Sequence, residues 1–167
     1  RTQDGSDGGS SALLFYLVAY AATNLASFFA IIAISNKVGS DKISDFAGIA
    51  RRDPVLAFVL ALGLVSLIGV PPTALFIGKI FLFTAAIQSD LVWLAILGVA
   101  NSVLSAYYYL KVIRTMYSGD TVSDSNVRPS LIFQLALGFS GVVVLVLGIM
   151  PGIITWITDA AARSLTH

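Results

Sequence analysis

The sequence predicts an all-α membrane protein: a transmembrane helix bundle with four spans, the second of them broken at Pro71-Pro72. Three observations predict it. Of 167 residues, 57% are hydrophobic and only 11% are charged, against about a quarter charged in an average soluble domain. Mean hydropathy is +0.88. The apolar residues also fall into runs as long as the roughly 20 residues that cross about 30 Å of hydrocarbon. A soluble enzyme and a disordered chain both fit this composition badly. A net charge of +1 gives no basic face for nucleic acid.

The residue inventory narrows the chemistry further. Every acidic residue is Asp, and the Cys count is 0. Thiolate metal sites, Fe–S ligand sets and Cys nucleophiles are therefore absent from this sequence. The one His is the last residue, His167, a poor place for a His-based centre. No phosphate loop, dinucleotide fingerprint or metal-ligand spacing occurs.

The first span is expected over residues 11–35, which carry no charge. Ala22, Ala26 and Ala30 recur every four residues and let a neighbouring helix approach closely. The second runs over 54–88 with one charge, Lys79. At about 1.5 Å per residue such a helix is far longer than a bilayer needs. Proline removes a backbone donor and pushes the preceding residue out of helical geometry, so the rod must break near Val70. Asp53-Pro54 suits its start, with Asp capping and Pro in the first turn. The third span is expected over 91–110, with Ser102 and Ala106 as its small-residue face, and the fourth over 131–150. Residues 1–10 read as a polar extramembrane loop. Residues 11–150 read as the transmembrane domain, and 151–167 as an interfacial tail with Trp156 at headgroup level. The chain opens on Arg with no signal peptide, which reads as a piece of a longer protein.

Loop charges choose between one crossing and two for the broken segment. With one, Lys37, Lys42, Arg51 and Arg52 share a side with Lys111, Arg114 and Arg128, and only Arg1 and Arg163 lie opposite. That is a positive-inside pattern with both ends outside. With two crossings the bias largely vanishes.

Lys79 is the sharpest chemical feature. A charge at bilayer depth costs roughly 3 kcal/mol on insertion scales, and such residues usually face a bundle interior or a hydrated path. Lysine also changes protonation readily on desolvation, so it can hold and release a proton. The plainer alternative is a lysine that snorkels to the surface. The break beside it, with Gly69, Pro71, Pro72 and Gly78, frees backbone groups that protein or water must satisfy. Broken helices at midplane serve ion and proton carriers, while a kink that only shapes packing is the alternative. Tyr16, Tyr20, Thr23 and Asn24 on the first span, and Asn101, Ser102, Ser105 and Tyr107, Tyr108 and Tyr109 on the third, can order water or bond between helices. Asn24, Ser102 and Tyr108 are taken as a candidate polar path.

Residues 43–83 (ISDFAGIARRDPVLAFVLALGLVSLIGVPPTALFIGKIFLF) and 101–117 (NSVLSAYYYLKVIRTMY) closely resemble subunit N of the proton-pumping NADH-quinone oxidoreductases, and residues 15–31 fit as well. The G-x-P-P-x-x-x-F-x-G-K run at 69–79 is the specific motif of the antiporter-like subunits. The resemblance implies the last helices of an antiporter-like membrane-arm subunit, with Lys79 on the family's broken-helix lysine, in a row of charged and hydrated residues crossing the arm. It implies a translocase subunit with no redox centre here. NADH or a related donor, flavin, Fe–S clusters and quinone would serve other subunits. The expected partners are those other membrane-arm subunits and the lipid bilayer. The expected location is a multi-pass position in a bacterial inner membrane or an organellar energy-converting membrane. A multisubunit cation/proton antiporter shares the helix pattern and is the alternative. A scaffold in which Lys79 is paired and inert is a third reading.

Overall fold

The computed structural model describes residues 4–118, 131–150 and 152. Among them the secondary structure is helical: α1 (Asp4–Val38), α2 (Ile49–Arg52), α3 (Pro54–Ile68), α4 (Ala74–Gln88), α5 (Val92–Tyr117) and α6 (Leu131–Ile149), with a 3-10 turn at Ile43–Phe46. Two of these, over Gly9–Val38 and Val92–Tyr117, are continuous helices long and apolar enough to cross a bilayer. The expected tail at 151–167, apart from Gly152, and the turn-rich stretch at 119–130 lie outside the described residues.

The break in the second segment stands where the prolines put it. α3 ends at Ile68 and α4 starts at Ala74. The two 15-residue halves lie end to end along α1, antiparallel to it. Going down α1 from its C-terminal half, Ser27 meets Gly63, the Thr23 and Ser66 hydroxyls share a 3.1 Å hydrogen bond, and Tyr16 meets Gly78. The Phe15 and Phe81 rings then pack edge to face at 5.3 Å. One continuous helix therefore bridges the gap in its neighbour.

Close approach explains the pairing. A Cβ on Gly63 would sit 2.2 Å from Ser27 Oγ, and Ala26 and Ala30 are buried at the same interface. Small residues let these backbones meet, and the Thr–Ser bond satisfies groups that lipid would leave bare. The small residues expected to do the same on α5 behave otherwise. Ser102 and Ala106 line a cavity, and α5 touches α4 instead at Gly98, where a Cβ would fall 2.6 Å from the Phe83 ring. The long Lys79 side chain lies between the helices at Ser102 and holds them apart.

Two helix limits exceed their expectations. α1 begins at Asp4 rather than at 11, so most of the expected loop at 1–10 is helical. Acidic residues at positions 4 and 7 favour a helix start by opposing the macrodipole. α5 continues past 110 to Tyr117, so Lys111 and Arg114 ride on a helix. The cause is tertiary: Met116 is fully buried, and Gly48 N–H donates to Thr115 O at 3.4 Å. The Asp53 expectation holds. Its carboxylate accepts from Leu56 N–H at 3.2 Å with Pro54 in the first turn, and it pairs with Lys37 at 3.1 Å. In the same connection, hydrogen bonds from Ser40 and Ser44 hold the Asp45 carboxyl below its ordinary value.

α5 and α6 complete the bundle around the broken rod. α5 runs antiparallel to it, and most of its large apolar residues, Trp93, Leu97, Val103 and Leu104 among them, are exposed. α6 runs parallel to it. Gly141 lies against Val59 and Leu62, and Gly148 lies against Pro72 O and Thr73 at the break.

Candidate functional site

The site starts from how α3 ends. Four carbonyls at a helix C-terminus have no partner inside the helix. Gly69 follows α3 at φ +88°, a left-handed conformation that glycine adopts at no steric cost. This turn brings Gly69 N–H back to Ser66 O at 2.9 Å and Val70 N–H to Val65 O at 3.3 Å, the Schellman arrangement. Two of the four carbonyls are then satisfied. Leu67 O and Ile68 O remain.

Lys79 takes both. Its Nζ donates to Leu67 O at 2.9 Å, to Ile68 O at 2.9 Å and to Ser102 Oγ of α5 at 3.0 Å. Helical side chains lean toward their own N-terminus, so a lysine in the second turn of α4 reaches back across the gap. An ammonium has three donors and no acceptor, and here three acceptors surround it. A cation also suits the negative end of the α3 dipole. The lysine turns back into the bundle and, among the described residues, pairs with no carboxylate. It holds the two halves of the rod together.

Gly69 is needed twice. A Cβ there would lie 3.0 Å from Lys79 Cδ and 3.2 Å from Nζ. Gly69→Ala is expected to cost about 1–2 kcal/mol for the left-handed backbone alone and to push the ammonium off its carbonyls. Thermal unfolding of the detergent-solubilised protein should fall accordingly, whereas Gly138→Ala, with nothing within 4 Å of its Cβ, should leave it unchanged.

Lys79 and Ser102 form the wall between two cavities. One, of about 280 Å³, is mostly apolar and lined by Ile68, Phe76, Ile80, Val99, Val103 and Ala106, among others. The other, of about 310 Å³, is polar, with Tyr16 and Tyr20 from α1 and Asn101, Ser105 and Tyr109 from α5. The Tyr16 and Tyr20 rings stack at 5.9 Å. A polar cavity of this size has room for several waters, with hydrogen-bond partners at hand. No carboxylate lines it among the described residues.

The candidate path residues separate. Ser102 bonds Lys79 directly. Asn24 donates its side-chain amide to Tyr20 O at 2.8 Å and does not line the cavity. Tyr108 is 66% exposed and packs edge to face on Tyr107. Thr23 is buried in its bond to Ser66. The polar residues that do meet are 16 and 20 on one helix and 101, 102, 105 and 109 on the other. The second set falls on one helical face; position 108, three residues past 105, is in step with it, and exposure rather than spacing sets Tyr108 apart. Pro71 and Pro72 are exposed at the turn, and Gly78 lets α4 approach Tyr16, a Cβ there lying 3.3 Å from its ring.

Comparison with known proteins places this geometry. The family described as NADH:quinone oxidoreductase/Mrp antiporter, transmembrane, matches residues 4–105. Subunit N of the NADH-quinone oxidoreductase of Dehalococcoides mccartyi is 43% identical over 159 residues, covering 95% of this chain and 33% of that protein. The Heliobacterium modesticaldum subunit N is 40% identical over 157 residues, covering 94% and 33%. The chain thus spans about a third of the length of these relatives. Among solved structures, respiratory complex I from Thermus thermophilus with bound aureothin aligns at TM-score 0.74 and 29% identity, over 87% of this chain and 34% of that one. An archaeal membrane-bound sulfane sulfur reductase aligns at TM-score 0.83 and 25% identity, over 95% and 32%.

Proposed function

Because this chain belongs to the transmembrane family shared by NADH:quinone oxidoreductases and Mrp antiporters, we propose that it forms part of a membrane-arm subunit of a proton-pumping NADH-quinone oxidoreductase and that Lys79 carries the proton. The observation that carries this reading is the Lys79 ammonium, held by three neutral acceptors at a helix break on the wall of a polar cavity. The similarity to subunit N at 43% identity supports the assignment to a quinone oxidoreductase.

In this reading the described helices make four passes. Each half of the broken rod has 15 residues, about 22 Å at 1.5 Å per residue, too short to cross about 30 Å alone. Laid end to end along α1, the two halves make one crossing. The basic residues of the α1–α3 connection and of the end of α5 then face the cytoplasm of a bacterial cell. The exposed apolar face of α5 meets lipid or another membrane-arm subunit. The nicotinamide donor, flavin, Fe–S clusters and quinone work in other subunits. This chain has no active centre of its own and supplies a proton path. Quinone reduction alters charge along the arm, and Lys79 takes up a proton or gives one up as a neighbouring charge changes.

Affinity capture through a tag on this chain tests the assignment. The captured complex should carry the quinone-reductase subunits, and in proteoliposomes it should acidify one side on quinone reduction without needing sodium or potassium. Recovery without those subunits, together with cation-dependent proton exchange, would overturn it in favour of a cation/proton antiporter.

A further inference from the structure

We propose that Ser102 is the gate through which the Lys79 proton enters and leaves the polar cavity. The inference rests on the reading of Lys79 as a proton carrier and adds the atom to which the proton passes.

The three partners of Nζ are not equivalent. Leu67 O and Ile68 O are carbonyls, which accept a hydrogen bond but have no proton to pass on. Ser102 Oγ is a hydroxyl and does both. Nζ has no fourth partner among the described residues. A proton leaving Nζ along an existing hydrogen bond therefore has one productive route. The hydroxyl is also set for the charged state: Ser102 donates to Gly98 O at 2.9 Å, so its lone pairs face the ammonium at 3.0 Å.

The step balances with one water in the polar cavity as acceptor. The Ser102 hydroxyl swings from Gly98 O toward the cavity and gives its proton to that water, which becomes hydronium. Oγ forms a new O–H bond with a proton from Nζ, and Nζ keeps the electron pair as a neutral amine. The serine ends as it began, and one proton has moved from lysine to water. Uptake is the reverse. Direction follows from the two cavities: beyond Lys79 and Ser102 themselves the apolar one is lined by hydrocarbon side chains, while the polar one offers a water Tyr16, Tyr20, Asn101, Ser105 and Tyr109. Those three tyrosines, from α1 and α5, are the other titratable side chains lining that cavity; α4 adds none besides Lys79 itself, and α3 and α6 add none. None of the three bonds Nζ.

The test places Ser102→Ala, Ser102→Thr and Lys79→Ala in the assembled complex and measures proton translocation in proteoliposomes across a pH series. Ser102→Ala should slow translocation about three- to tenfold, the rate equivalent of one lost hydrogen bond, and shift its pH profile. Ser102→Thr should restore both, since the apolar cavity has room for the added methyl. If Lys79→Ala impairs translocation and Ser102→Ala matches wild type, the gate is wrong and the lysine carrier stands. If Lys79→Ala itself pumps normally, the carrier reading falls and the gate with it. If threonine fails to restore what alanine loses, the loss does not follow the hydroxyl and the gate is overturned. Should the alanine variant not assemble, Ser102→Cys, similar in size but a weak donor and acceptor, carries the same expectation.

Discussion

Lys79→Ala is expected to leave the complex assembled and to stop the proton translocation proposed for this subunit. The variant frees Leu67 O, Ile68 O and the lone pairs of Ser102. Each abandoned carbonyl costs about 1–3 kcal/mol if nothing replaces its donor. Here something does, because the adjoining polar cavity of about 310 Å³ lets water reach the carbonyls. Assembly therefore survives, but a water at that place has no side chain to retain a proton against the bilayer. Translocation should fall at least about a hundredfold, the low end for losing a positioned acid or base. Lys79→Arg should fail as well, since a guanidinium stays charged at any working pH and its fork is too bulky beside Gly69. The measurement is proton uptake by inverted vesicles against quinone reduced, with the amount of intact complex as reference. Wild-type stoichiometry in Lys79→Ala would sink the role.

The second large effect is structural. Gly148→Ala should detach the end of α6 from the break. Its Cβ would lie 2.0 Å from Pro72 O and 2.5 Å from the Thr73 carbonyl carbon. These are backbone atoms of a turn fixed by Gly69 and two prolines, so neither side gives way as a flexible side chain would. Forcing extra volume into a packed interface costs about 1–3 kcal/mol where atoms can shift, and more where they cannot. α6 supplies its own controls. Gly141→Ala meets Val59 at an ordinary 3.6 Å, and Gly138→Ala meets nothing within 4 Å. Heating series on the solubilised protein should place Gly148→Ala well below both. Equal stability of all three would show that α6 does not seat on the turn.

The break was legible because proline chemistry is local: two adjacent prolines end a helix whatever surrounds them. Lys79 was legible because one charge inside an uncharged run has few harmless explanations. Its partners were not legible. That Nζ turns back to Leu67 and Ile68 depends on a Schellman turn and on two half-helices lying in line, and neither is written in the residues at 79. The polar residues of α1 and α5 could be listed from sequence, but which of them meet depends on helix rotation. Asn24 spends its amide on its own helix. Tyr108 is in step with Asn101 and Ser105 along α5, so spacing alone does not separate it from Tyr109; the rotation of the helix exposes the one and turns the other to the cavity. The end of α5 was misjudged because Met116 and Thr115 are held by a connection far away in the chain.

α1 passes the interruption unbroken, bonded through Thr23 to Ser66 and seated through Ser27 against Gly63 on one side of it and through Tyr16 against Gly78 on the other. It acts as a splint on a fracture. The two pieces of its neighbour have no freedom to swing like a door, because the splint would have to bend with them. Motion at the break is thereby expected in side chains and the short linker rather than as a swing of one half against the other.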